Sequence, residues 1–413
     1  MSLEIIENLP TLRMGLVSTL AVAALLLVCG DRMRKMVPFF TKFCIPSPVI
    51  GGFSFALLAW LLKGTNLLNF DFDTTLQTSL MIAFFTTIGL GGSLSLIKRG
   101  GKSLLIYLVG CWILAIMQNV IGTGIASITG IHPVLGVMAG AVSLEGGHGA
   151  ASAFGPTAEQ MGIHGAFVVA IASATYGLIA GSLLGGPTAK WLIDRHHLKI
   201  KTNEEEYLST QKAMVTGTDS LSKAVTSNSI VGTLAFILVI MVLGEILTDY
   251  IESATGFILP GYISAMLMAV IFRNLNDCTK FIKIDSKSVD LIADVSLGLF
   301  LSMAMMSLRI WELAALALPL ILILAVQTAF IFTYCTFVIF PALGRDYDAA
   351  VMCAGMMGHG LGATPNALAN MDAVCERYGV ISHKAFLIVP LCGAVLIDMV
   401  GIPSIVWFIN YFV

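Results

Sequence analysis

Apolar runs of membrane-spanning length recur along the chain, and polar stretches cut them at matching places. A span needs about 20 largely apolar residues. Runs of that kind lie near Leu12–Cys29, Pro46–Leu62, Leu76–Leu96, Leu104–Ile128 and Ala166–Leu184. A polar segment follows, with Asn203-Glu204-Glu205-Glu206 and Thr216-Gly217-Thr218-Asp219-Ser220, the composition of a solvated linker. A second set then runs Ile230–Leu247, Phe257–Phe272, Val289–Leu308, Leu313–Leu343 and Ala385–Phe412. The pattern predicts an all-α polytopic membrane protein. Two repeats of five transmembrane helices, 1–194 and 228–413, flank a linker at 195–227.

In each half, the interval between the fourth and fifth runs is neither apolar throughout nor a simple loop. The first, about 132–160, holds Gly146, Gly147, Gly149, Gly155 and Pro156 around Glu145 and His148. The second, about 348–373, holds Gly358-His359-Gly360-Leu361-Gly362-Ala363-Thr364-Pro365-Asn366. Both have a Gly-His-Gly core, each led in by Val-Met (Val137-Met138, Val351-Met352). Non-helical backbone at membrane depth is tolerated only where protein buries it or it lines a wet cavity. Paired interruptions in matching positions of two halves point to a transporter's binding site. Each interval is therefore predicted to be a re-entrant hairpin. Glycine for close helix packing alone does not call for Pro156, Pro365, Glu145, Asn366 or Asn370.

Other echoes hold the same register: Ser95-Leu96 beside Lys98-Arg99 matches Ser307-Leu308-Arg309, and Gln118 matches Gln327. Five spans per half invert the second repeat relative to the first. The charges agree with that topology. All but Arg13, Lys63 and Arg309 of the 23 Lys and Arg residues fall on one side of it. The positive-inside rule makes that side cytoplasmic, with the linker, and puts both termini outside.

Composition narrows the class further. Only 12% of residues are charged and the mean hydropathy is +0.89, against about 25% charged in soluble proteins. The lipid bilayer is a partner, and no nucleic acid is expected. Eight scattered cysteines without a C-x-x-C pair give no support to a disulfide or thiolate metal site. The first apolar run has no basic n-region ahead of it and is expected to be a true span rather than a cleaved signal peptide.

A hairpin that enters half the bilayer and returns ends one short helix at its tip and begins another. Unpaired carbonyls and unpaired N–H groups then lie side by side, favouring a small cation and an anionic group. Glycine lets the backbone approach a ligand without a Cβ, and Thr364-Pro365 is expected to be N-cap and first helical residue. Substrate-binding candidates are Gly147, His148, Gly149, Ser152, Gly360, Gly362, Thr364, Asn366, Asn370 and Asp398. Cation-ligand candidates are Ser143, Glu145, Asn119, Asp294, Gln118 and Gln327. Asp398, Asp294 and Glu145 qualify because an ionisable group inside a span is functional by default. For His148 and His359, hydrogen bonding is favoured over proton relay. Interhelical glue competes with ion coordination for the buried amides. Arg377 lies twelve residues beyond Pro365, roughly 18 Å along a helix, and is expected to be a topology charge.

Several stretches together resemble the bacterial sodium:glutamate symporters over nearly the whole chain. They are Pro46-Ser47-Pro48-Val49-Ile50-Gly51-Gly52, Ala83-Phe84-Phe85-Thr86-Thr87-Ile88-Gly89-Leu90, Met117-Gln118-Asn119, Gly146-Gly147-His148-Gly149 and Gly360-Leu361-Gly362-Ala363-Thr364-Pro365. Glu376-Arg377-Tyr378-Gly379 and Phe386-Leu387-Ile388-Val389-Pro390 add to the likeness. The resemblance implies Na+-driven uptake of L-glutamate across the bacterial inner membrane. It also implies a homodimer in which a mobile, hairpin-bearing domain moves against a scaffold. The competing readings are a Na+- or H+-coupled carrier of another carboxylate (aspartate, citrate or malate-like) and, from another class, an intramembrane hydrolase. A Ser143/His148 pair would have to serve the hydrolase, without an orienting third group and with the duplicated hairpin unexplained.

Overall fold

The computed structural model describes residues 2–6, 9–43, 45–93, 97–198, 226–255, 260–282, 284–309 and 316–413. Residues 199–225 of the expected linker lie outside them, as does Ser95-Leu96. Strands β1 (Ser2–Ile6), β2 (Leu9–Met14) and β3 (Asn69–Phe72) form one small sheet, β2 antiparallel to β1 and parallel to β3. Arg13 bridges Glu4 (3.3 Å) and Asp71 (2.9 Å) across it.

The first-half helices are α1 (Leu16–Met36), α2 (Pro38–Lys42), α3 (Ser47–Gly64), α4 (Thr75–Gly91), α5 (Ile97–Thr129), α6 (Pro133–Val137), α7 (Gly147–Gln160) and α8 (Ala166–Arg195). The second half contributes α9 (Ser227–Thr255), α10 (Gly261–Thr279), α11 (Ser286–Met306), α12 (Ala317–Tyr334), α13 (Tyr347–Leu361), α14 (Thr364–Tyr378), α15 (His383–Leu391) and α16 (Asp398–Phe412). Local chemistry sets the ends. α1 stops at Val37, ahead of Pro38, because a residue before proline is disfavoured in the helical region. α14 stops at Gly379, whose left-handed φ of +66° closes the helix.

Among the described residues, seven helices are long and apolar enough to cross a membrane: Leu16–Met36, Ser47–Gly64, Gly101–Thr129, Ala166–Arg195, Ser227–Ala254, Ser286–Met306 and Ala317–Ala342. The other three expected spans fall short for identifiable reasons. Thr75–Gly91 is apolar but short. α10 carries the Arg273–Asp277 pair (3.0 Å) in its second half. The run expected from Ala385 to Phe412 keeps helical backbone angles but is not α-helical throughout. Pro390 cannot donate to the preceding turn, and a π-helical turn at Cys392–Leu396 separates α15 from α16.

Packing sorts the helices into two bodies. In the first, α4 lies between α10 and α11, while α1 packs on α3 and α11, and α9 on α10. The second joins α5, α6, α7, α8 and α12 through α16, with α8 packed against α7, α13 and α14. Thus the first three long helices of each half make one body. The fourth, the interrupted interval and the fifth of each half make the other. At Asp285, hydroxyls of Ser229 (2.5 Å) and Ser288 (2.6 Å) tie the start of α9 to that of α11 and hold the carboxyl below its ordinary pKa.

Glycine brings backbones together within each body. A Cβ on Gly51 of α3 would lie 1.9 Å from the Leu26 carbonyl oxygen of α1. On α8, Gly177, Gly181 and Gly185 form one stripe, four residues apart, against α13 and α14; a Cβ on Gly177 would lie 1.8 Å from the Leu361 oxygen. Backbone atoms cannot swing aside as a side-chain tip can, and overpacking costs about 1–3 kcal/mol or more. Gly51→Ala and Gly177→Ala should therefore lose most of the monodisperse protein in detergent size-exclusion chromatography. Gly64→Ala and Gly232→Ala, where nothing lies within 4 Å of the added carbon, should keep wild-type yield.

Candidate functional site

Both interrupted intervals are broken helices. The first opens at Pro133, with His132 as its N-cap accepting from the Val134 N–H (3.3 Å). α6 runs into a π-helical stretch, Met138–Val142, in which Gly140 leaves helical geometry (φ −105°, ψ −130°). The helix resumes at Gly147, whose φ of +58° favours glycine, and it ends at Gln160. Pro156 lies inside α7 rather than at the break. The second interval breaks at Gly362-Ala363 and continues to Tyr378, beyond the expected limit near 373.

The two breaks meet. A Cβ on Gly147 would stand 3.3 Å from the Gly362 carbonyl oxygen. Around this contact lies a cavity of about 820 Å³, between the two bodies. One wall comes from α1, the start of α3, α4 and α11; the other comes from both breaks and the first turns of α16. α7 and α14 both begin at it, so two helix N-termini, each with unpaired N–H groups, face the same space.

Of the expected site residues, Gly147, His148, Gly149, Gly362, Thr364, Asp398, Glu145 and Asp294 line this cavity. Asp398 stands just past the π-turn, on backbone that stays helical through Ile397. Asp294 faces it from α11, on the opposite body. Glu145 sits in the first break. Its Oε1 is buried with no donor, and its Oε2 lies 3.9 Å from where a Cβ on Gly401 would be. Among the described residues, no ion pair is formed by any of these three carboxylates.

The histidines, alike in sequence, part company. His148 is in the first turn after its break, and its Nε2 lies 3.0 Å from the Thr175 hydroxyl. That hydroxyl donates to the Ile171 carbonyl (3.0 Å), so Nε2 must be the donor; in a neutral ring Nδ1 is then an acceptor. His359 is in the last turn before its break and does not line the cavity. Its Nε2 meets the Tyr107 hydroxyl at 2.8 Å, and its Nδ1 is buried without a partner.

The remaining candidates lie elsewhere. Asn366 donates to the Leu178 carbonyl (2.8 Å), and Asn370 to those of Gly181 (2.9 Å) and Ala354 (3.3 Å), tying α14 to α8 and α13. Gly360 packs against Leu114 and Ile331. Gln118, Asn119 and Gln327 are buried outside the cavity, and the Ser143 hydroxyl donates to the Met138 carbonyl. Ser152 faces a smaller cavity with Pro156 and Tyr262. Thr364 does not cap α14 as expected. Ala363 is the N-cap, and the Thr364 hydroxyl reaches the Gly393 carbonyl at 3.5 Å. Arg377 lines a separate cavity with Lys190 and Asp194, remote from the breaks.

Two charged lining residues escaped the sequence reading. Asp31 and Arg34, on the last turns of α1, border the cavity. In the sequence Arg34 is one of the Lys and Arg residues on the side expected to be cytoplasmic. The signal was the Pro46-Ser47-Pro48 helix start, which turns α3 back so that its first residues line the same space.

The chain matches the family described as sodium/glutamate symporter over residues 12–380. It is 41% identical to a sodium/glutamate symporter of Haemophilus influenzae over 387 residues, 93% of this chain and 94% of the relative. It is 40% identical to the sodium/glutamate symporter of Escherichia coli over the same shares.

The placement of the two imidazoles separates their expected effects. His359→Phe fills the same buried space and gives up one hydrogen bond, about 1 kcal/mol, so transport should persist with little change in apparent KM. His148→Phe, at the cavity wall, should raise the apparent KM for cargo several-fold at normal expression. Parallel uptake curves on matched protein amounts check both.

Proposed function

The chain belongs to the sodium/glutamate symporter family, and on that premise we propose that it imports L-glutamate with Na+ across the inner membrane, holding the amino acid where its two broken segments meet. It is a multi-pass transporter, not an enzyme. The observation that carries the site is the contact of Gly147 with the Gly362 carbonyl inside one cavity that also holds Asp398.

Each group on glutamate finds a counterpart of matching sign. The N–H ends of α7 and α14 suit carboxylates, and glycine at both breaks lets the substrate approach backbone. Asp398 is the acceptor for the α-ammonium group. Glu145 and Asp294 attract cations into the space. His148 offers a ring nitrogen as a neutral hydrogen-bonding group and need not move a proton.

In this reading the broken segments are re-entrant hairpins entering from opposite faces, and the halves are inverted repeats. The matching element order of the halves and the one-sided distribution of Lys and Arg support it. Both termini then face outward and the linker is cytoplasmic. The body built on α3, α4, α10 and α11 serves as scaffold and forms a homodimer. The body that carries the breaks moves against it. A cavity at the seam is what such a movement requires, because sliding one wall past the other exposes its contents to alternate sides.

Proteoliposome uptake of radiolabelled glutamate should require an inward Na+ gradient. A second coupled Na+ would add a charge worth about 2.3 kcal/mol per 100 mV, seen as stimulation by an inside-negative potential. Equal uptake without Na+ would overturn the reading. Asp398→Asn should dimerise yet lose uptake. Its glutamate affinity should fall more than tenfold, since a charged hydrogen bond contributes about 1.5–3 kcal/mol. Near-normal uptake by that variant would remove Asp398 from the site.

A further inference from the structure

One positive charge faces the cavity between the two bodies. Among the described residues that line it, Arg34 is the one cation, against Asp31, Glu145, Asp294 and Asp398. It is half-buried on the last turns of α1. Asp31, one turn earlier, is taken up by Lys35 (2.6 Å). No ion pair or hydrogen bond among the described residues engages the Arg34 guanidinium. Cytoplasmic topology and the C-terminal end of α1 both favour positive charge. Arg32 and Lys35 are exposed and meet those needs, and neither lines the cavity.

Helix register places the guanidinium. Leu27, Asp31 and Arg34 fall at i, i+4 and i+7, one face of α1, and all three line the cavity. α1 and α11 run antiparallel: Ala23 clusters with Met303 and Met306, and a Cβ on Gly298 would lie 2.9 Å from Leu27. From that level, Arg34 is seven residues on along α1 and Asp294 four residues back along α11, roughly 10 and 6 Å. Both therefore stand at the same end of one wall, Arg34 the further along it. That wall belongs to the body facing the breaks, not to the one that carries them.

Glutamate differs from glutamine by one charge, on its side chain. The N–H ends of α7 and α14 can donate to an amide oxygen as well as to a carboxylate, so hydrogen bonding there separates the two weakly. A guanidinium separates them strongly, because its fork fits a carboxylate with two parallel charge-assisted bonds. Resting on the glutamate reading above, we propose that Arg34 binds the side-chain carboxylate of glutamate and determines the preference for acidic over neutral cargo at the cytoplasmic face. The α-ammonium and α-carboxylate stay with Asp398 and the helix ends of the moving body, and the acidic side chain points across the seam to α1. Cargo held this way touches both bodies in the arrangement seen here. Arg34 stays with the scaffold when the breaks slide away, so its contribution is confined to one face of the membrane.

The test is transport by the full chain in everted membrane vesicles, whose cytoplasmic face meets the medium. Radiolabelled glutamate uptake is driven by an inward Na+ gradient, with unlabelled glutamate and glutamine as competitors. Arg34→Gln should raise the KM for glutamate at least tenfold and leave the inhibition constant of glutamine within twofold, so that the preference for the acid collapses. Arg34→Lys keeps the charge without the fork and should recover most of that preference. In right-side-out vesicles of the same variants, the KM for glutamate should move less than twofold. Equal loss of affinity for glutamate and glutamine would overturn the proposal, since Arg34 would then act on folding or on the groups common to both. So would an unchanged preference in a well-expressed Arg34→Gln protein, or a preference lost equally at both faces. Those outcomes leave Na+-driven glutamate transport by the wild type intact. A wild type without it would overturn the reading above and this proposal together.

Discussion

Backbone broken among membrane-spanning helices must have its polar groups met by protein, because lipid offers them nothing. Much of the second body answers that demand. Gln118 reaches the last turn of α13, Asn366 and Asn370 bridge α14 to α8, and the Asn370 amide is shared with α13. The glycine stripe on α8 lets the broken segment lie against bare backbone, close enough for those short amides to reach. Removing Gln118 would strand the Gly360 carbonyl, which lies too near the end of α13 for a helical partner, whereas Asn366 and Asn370 reach carbonyls within continuous helices and serve as ties between them. The polar residues outside the cavity thus keep an otherwise unaffordable backbone shape in place.

Carboxylates at the seam have the opposite character. Glu145, Asp294 and Asp398 come from both walls and have no basic partner among the described ion pairs. Their countercharge must come from outside the two walls, and in the proposed reading the ammonium group of glutamate and Na+ provide it. Two kinds of polar chemistry are thereby kept apart: neutral amides hold shape in the interior, and charges gather where the bodies face each other.

Element types and the places of both breaks were legible because apolar runs and Gly-Pro punctuation are local signals. The cavity-lining role of Glu145, Asp294 and Asp398 followed from the cost of charge in a span. What the pattern could not carry was which side of a break a residue falls on. His148 and His359 sit in matching Gly-His-Gly motifs, yet one helix resumes just before its histidine and the other stops two residues after. That offset sends one imidazole to the cavity and buries the other beside Tyr107. Nothing adjacent to Gly177 in its apolar run marks it out. Its spacing with Gly181 and Gly185 was the readable clue to a tight packing face. Thr364 lost its capping role because Ala363 takes the extended conformation. Arg34 joins the site only through the return of α3, a tertiary relation.

The small sheet at the start of the chain has a practical consequence. β1 pairs with β2, and β2 with β3, which connects α3 to α4. The opening strands are therefore stitched to one body, whereas the closing helix packs with α5 and α6 in the other. A donor dye near Ser2 and an acceptor near Val413 would ride on different halves of the machine. The spacing of the two labels would serve as a ruler for rearrangement during turnover, read in single molecules, with every cavity residue left untouched.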